Sequence, residues 1–125
     1  DGSSNKVVRV YTKDSGGQAV DTGSVTTKTL TINTWSFITV VFDRDNEDIL
    51  VYKDDSLTGY NKDASDWGDS ATLNNSEPIT IGASDTLATG SFFDGQIDDV
   101  RIYNKVLTTA EITKNYRHGS GKHKD

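Results

Sequence analysis

The residues with the clearest chemical consequence lie in the stretch FFDGQIDDVRIYN, Phe92 to Asn104. Val100 and Ile102 alternate with Arg101 and Tyr103, so a strand over Gly95–Tyr103 places Asp98 on the face of Val100 and Ile102, the expected core face. An ionised carboxylate buried there costs on the order of several kcal/mol unless it is paired, hydrogen-bonded or metal-bound. Asp99 falls on the opposite face, beside Arg101, where it can stay in solvent. Three readings of Asp98 follow. It accepts backbone N–H groups where the Asp94–Gly95 turn or a bulge interrupts the ladder. Alternatively, it binds a calcium ion at the rim, with backbone carbonyls and an N-terminal oxygen such as Asp1 as the other ligands. A catalytic acid is the third reading, and it lacks a second carboxylate or nucleophile that the spacing sets opposite. Hard oxygen donors and the absence of cysteine suit calcium over zinc or copper.

A second group is DASDWGDS, Asp63 to Ser70, a polar, glycine-containing stretch around Trp67. An aromatic ring stacks on the apolar face of a sugar while neighbouring carboxylates accept its hydroxyls, so Trp67 with Asp66 and Asp69 is a candidate saccharide contact. Tyr60 could extend the same platform. The competing role for Trp67 is to anchor its own loop. Trp35, between a turn and a strand, reads as a core residue. The run DRDNED, Asp43 to Asp48, spaces carboxylates like the start of a calcium-binding loop but has Asp48 where the sixth-position glycine belongs and Asp54 at the twelfth, so it reads as a solvated hairpin turn. His118 and His123 fall in a polar, glycine-broken tail. No Ser-His-Asp set, phosphate loop or histidine-rich metal motif can be assembled.

The elements that must position these residues are mostly strands. Thr, Gly, Ser, Asn and Asp are abundant and helix formers sparse, which marks an extracellular style of β protein. The chain has 125 residues, enough for one core. A net charge of −6 and a pI near 4.7 oppose a role in nucleic-acid binding, which needs clustered cations. No apolar run is long enough to span a membrane. The chain begins at Asp1 and contains no methionine, so a processed product or an excised piece of a longer protein is expected.

Strands are predicted over Lys6–Thr12, Ser24–Ile32, Ser36–Asp43, Ile49–Asp54, Pro78–Gly82 and Gly95–Tyr103. In Ser36–Asp43 both Ile38, Val40, Phe42 and Phe37, Thr39, Val41 are largely apolar sets, which makes that strand central. The stretch from Asp55 to Ser76 reads as a long polar connection. Thr108 caps a helix, with Glu111 returning the bond and Leu107 stapling against Ile112; it is expected to run to about Tyr116. Residues 1–116 then form the domain and 117–125 a flexible tail. Turn-separated strands with apolar patterning on both faces predict an all-β, antiparallel β-sandwich (jelly roll) with one short C-terminal helix.

From Asn33 to Tyr116 the blocks NTWSFITVVFD, ILVYKDDSL, PITIGAS and FFDGQIDDVRIYNKVLTTAEI, in this order, resemble the laminin-G-like, concanavalin A-like domains of the pentraxin-related type. The resemblance implies a non-catalytic, glycan-binding or adhesive module of a secreted, surface or virion protein, and it favours structural calcium at Asp98 and Asp1. Two departures stand out. Asp54 and Asp55 occupy a hairpin where the family often has Asn-Gly, and the 32 residues before Asn33 are too few for the usual N-terminal strands. A trimmed sandwich would leave an open sheet edge for a protein partner or a second copy. The expected function is carbohydrate binding, toward a glycan or polysaccharide. The alternative is a structural domain that assembles with protein.

Overall fold

A computed structural model describes residues 6–13, 15, 19–21, 29–63, 78–83, 92–120 and 122. Its strands are β1 (Lys6–Val7), β2 (Tyr11–Lys13), β3 (Ala19–Asp21), β4 (Thr29–Leu30), β5 (Ile38–Asp43), β6 (Asp48–Lys53) and β7 (Ser56–Asp63), followed by helix α1 (Thr109–Ser120). Among the described residues every pairing is antiparallel. β1 pairs with β4, and the β2–β3 hairpin is nested between them. β5, β6 and β7 form a meander with β6 at its centre. The architecture is therefore the expected all-β, antiparallel one with a short C-terminal helix.

The register of the meander explains where the core sits. Val40 opposes Val51 and Phe42 opposes Ile49, so these side chains share one face; Val41 opposite Leu50 and Thr39 opposite Tyr52 share the other. On the first face Ile49 is fully buried and packs with Val40 and with Val10 of the β1–β2 connection. On the second, Val41 and Tyr52 pack with Ile112 of α1, and Leu50 and Leu107 join them. The two-sided apolar pattern of β5 is thus used on both sides.

The helix starts as its sequence predicts. Glu111 N–H donates to Thr108 Oγ1 at 3.3 Å, Thr108 N–H donates to Glu111 Oε2 at 3.0 Å, and Lys105 adds an ion pair to the same carboxylate. These bonds pull the Glu111 carboxyl down from 4.5 to about 2, the Lys105 contact being the largest cause. Arg117 and His118 in the last turn suit the negative end of the helix dipole.

Helix α1 runs to Ser120 and not to Tyr116, because Gly119, expected to break the helix, is buried against the Phe37 ring. A β-carbon at Gly119 would lie 3.2 Å from that ring, so the missing side chain is what lets the last turn approach. Tyr116 supports the same contact, with ring centroids 6.1 Å apart. His118 consequently lies inside the helix, donating from Nδ1 to the Lys114 carbonyl at 2.8 Å.

Three further expectations change. Ser56–Asp63, read as part of a loop, is strand β7. Its polar side chains gave no apolar signal, but β6 supplies a ladder, and a bulge absorbs the irregular register: Leu50 opposes Asn61 whereas Tyr52 opposes Leu57. The Thr58 hydroxyl patches that bulge by donating to the Val51 carbonyl at 2.8 Å. Pro78–Gly82 and Gly95–Tyr103 are not strands. Gly82 instead accepts the Phe93 N–H at its carbonyl, at 2.6 Å, just ahead of the second stretch. Asp99 has φ of 54°, a left-handed conformation that breaks the extended path a ladder needs.

Candidate functional site

The break at Asp99 decides the position of Asp98. Val100 and Ile102 are 56% and 72% exposed, so the predicted core face of this stretch faces solvent. Asp98 is exposed with it, and its Oδ1 accepts the Asp99 N–H at 2.7 Å. The expectation of a buried carboxylate is thereby corrected. Asp99 is gripped by Arg101, whose Nη2 and Nε lie 2.7 and 3.1 Å from its oxygens, and by Lys122 at 3.4 Å. The bond from Arg101 is the main reason the Asp99 carboxyl is held below its ordinary range.

Trp35 meets Asp98. It is 40% exposed rather than a core residue, and lines an open depression of about 610 Å³ with Gln96, Ile97 and Asp98. Local structure explains its exposure. Asn33 has φ of 57°, which turns the chain after β4, and the ladder of β5 begins only at Ile38. Trp35 therefore precedes the sheet's alternation. Two residues later the chain is pinned: Asp54 N–H donates to the Phe37 carbonyl at 2.6 Å, and Phe37 N–H donates to Asp54 Oδ1 at 3.2 Å. Asp54 does this from the left-handed conformation, φ 60°, at the tight turn between Lys53 and Ser56. An Asp-Asp pair thus serves where Asn-Gly was the family expectation, and its carboxylate anchors the tryptophan segment.

The other wall is held by Gly82, whose φ is 80° and where a β-carbon would come within 2.8 Å of Ile97 Cδ1. That close approach seats Ile97 beside Gln96 and Asp98. The depression thus offers an indole ring, an aliphatic side chain, an amide and a carboxylate. Such a set can hold a small polyhydroxylated ring by stacking and hydrogen bonding.

Of the residues expected to bind ligand, Trp67, Asp66 and Asp69 lie outside the described residues. Tyr60 lies on strand β7, and only its backbone is described. Asp1, the expected partner of Asp98 on calcium, is also outside them. Among the described residues no group of three or more acidic or histidine side chains could hold a metal ion, so they do not by themselves make a calcium site. The DRDNED run is a hairpin turn as expected, with the Asp43 carboxylate accepting both Asn46 N–H at 3.2 Å and Asn46 Nδ2–H at 2.8 Å. Sequence reasoning missed Trp35, Gln96 and Ile97 as a group. The available signal was the Asn33–Thr34 turn, which sets Trp35 outside the β5 alternation.

Antiparallel sheets, with a C-terminal helix packed on the three-stranded meander, define an all-β domain. The family model described as the concanavalin A-like lectin/glucanases superfamily, laminin-G type, matches residues 2–113, and the chain belongs to that family. Among solved structures, the chain is similar to an S-layer domain-containing protein from Clostridium thermocellum (residues 221–444), at 19% identity and a TM-score of 0.46. That match covers 80% of this chain and 45% of the other. Comparison with curated proteins finds no match.

Proposed function

We propose that this chain is a non-catalytic carbohydrate-binding module of a larger secreted or surface protein, and that saccharide docks in the Trp35 depression. The observation that carries this reading is the half-exposed indole held beside Gln96, Ile97 and Asp98 on two anchored segments. The indole stacks on the apolar face of a sugar ring; the Gln96 amide and Asp98 carboxylate bond its hydroxyls. Glycoside hydrolysis requires a pair of carboxylates across the bond, and among the described residues that line this depression Asp98 is the one acid. Trp67, with Asp66, Asp69 and Tyr60, is proposed as a second contact patch.

A glycan array probed with wild type, Trp35→Ala and Trp67→Ala, with and without calcium, tests the reading. Trp35→Ala is expected to lose retention while keeping the wild-type unfolding curve; undiminished retention by Trp35→Ala removes the site.

A second reading, assembly with protein, is favoured by a different observation. Ile79, Phe92, Val100 and Ile102 are 78%, 60%, 56% and 72% exposed, an unusual amount of apolar surface for neighbouring segments. Light scattering that shows a stable oligomer, together with an empty array, would favour assembly over saccharide binding.

A further inference from the structure

We propose that Asp94–Gly95 is a site of spontaneous backbone rearrangement, at which the main chain passes through a succinimide to a β-linked isoaspartate; this stands apart from the saccharide reading. The reaction needs a side-chain carboxyl one residue before an unhindered main-chain nitrogen, and glycine hinders that nitrogen least. Asp94 is the aspartate followed by glycine among the described residues, Asp1–Gly2 being the other such pair in the sequence. The Gly95 nitrogen bonds to Asp94 Cγ, and the carboxyl hydroxyl departs with the amide proton as water. Water then reopens the ring. Addition at Cγ restores the ordinary linkage, and addition at the former main-chain carbonyl leaves the β-linkage and a free α-carboxylate. Atoms balance as an isomerisation, and no oxidant or co-reactant besides water takes part.

The fold leaves this pair open to the reaction. Asp94 and Gly95 are both exposed and lie in no helix or strand. Among the described residues nothing bonds the Asp94 carboxylate or the Gly95 N–H. The Asp43, Asp54 and Asp99 carboxylates, by contrast, are engaged by Asn46, by the Phe37 N–H and by Arg101. The pair is an unbonded link between anchored neighbours, because Phe93 N–H bonds the Gly82 carbonyl and Ile97 packs against Gly82. Packing also keeps glycine at the reactive position. A β-carbon at Gly95 would lie 2.6 Å from Phe93 Cε1, so a side chain that shielded the nitrogen would have to displace that ring. Rearrangement inserts one main-chain carbon just ahead of Gln96, Ile97 and Asp98, which share the depression with Trp35.

The test incubates the whole folded chain for weeks in mildly acidic buffer at body temperature, beside a synthetic peptide of the sequence FFDGQIDDVRIYN. Near-ultraviolet dichroism confirms that the chain stays folded throughout. Digestion and electron-transfer fragmentation then locate α- and β-linked aspartate residue by residue. Asp94 in the folded chain is expected to convert within roughly tenfold of its rate in the peptide, so that the fold adds less than about 1.4 kcal/mol to the barrier. It is also expected to convert ahead of Asp43, Asp54, Asp98 and Asp99. Asp94→Glu is expected to remove the β-linked signal at this position, because the larger ring that glutamate forms closes far more slowly. Conversion in the folded chain that is slower than in the peptide by more than roughly tenfold overturns the proposal. So does faster conversion at any of those four aspartates.

Discussion

Ile112 joins helix α1 to the meander, and its truncation tests whether that joint holds the domain together. Its side chain is fully buried, packed with Val41 of β5 and Tyr52 of β6. Ile112→Ala removes three carbons, worth about 0.8 kcal/mol each in transfer free energy, or about 2.4 kcal/mol in all. The cavity left between helix and sheet adds to this, and buried Ile→Ala changes span about 2–5 kcal/mol, so about 3 kcal/mol is expected. For a chain of this length, that is a fall in Tm of roughly 10 °C. Urea unfolding followed by tryptophan fluorescence gives the free energy, with an unchanged slope indicating that the unfolded state is unaltered. Ile102→Ala is the matched control. Ile102 is 72% exposed, so its truncation is expected to stay within about 0.5 kcal/mol. The reasoning is refuted if Ile112→Ala costs less than about 1 kcal/mol, or if Ile102→Ala costs as much as Ile112→Ala.

Three further outcomes are expected. At Asp54, which combines φ of 60° with the carboxylate that accepts Phe37 N–H, Asp54→Asn should unfold near wild type and Asp54→Ala should be the least stable, with Asp54→Gly between them; equal urea midpoints for Asp54→Ala and wild type would discount both roles. Because the Glu111 carboxyl is lowered from 4.5 to about 2 in the folded state, its contribution is complete above about pH 4.5 and is lost as pH falls toward 2. The Tm gap between wild type and Glu111→Gln should therefore close over that interval, and a gap that is constant with pH would contradict the cap geometry. Calcium held by Asp98 and Asp1 requires chelator to lower the wild-type Tm and to leave Asp98→Asn unmoved; a wild-type Tm indifferent to chelator removes that ion.

The parts of the fold legible in advance were those set by neighbours a few residues apart. The Thr108–Glu111 capping box, the Asp43–Asn46 hairpin turn and the two apolar faces of β5 all rest on local geometry, and each is observed. Strand β7 was missed because its sequence carries no apolar alternation and its partner is supplied by β6 across a bulge. The helix end was misplaced because Gly119 is a breaker locally and a packing surface for Phe37 in the fold.

The candidate site divides in the same manner. Aromatic residues beside acids and amides mark saccharide chemistry in any arrangement, and the family pattern is carried by blocks that the chain itself spells out. Strict alternation through Asp98, however, assumed an extended backbone, and one left-handed residue at Asp99 turned that stretch outward. Only the folded chain sets Trp35 on one depression with Gln96 and Asp98, across some sixty residues, with Asp54 pinning the first segment and Gly82 packed against Ile97 in the second. Short-range patterns specify which residues can stack, cap or turn; which of them meet is decided by long-range packing and by single backbone angles that residue type leaves open.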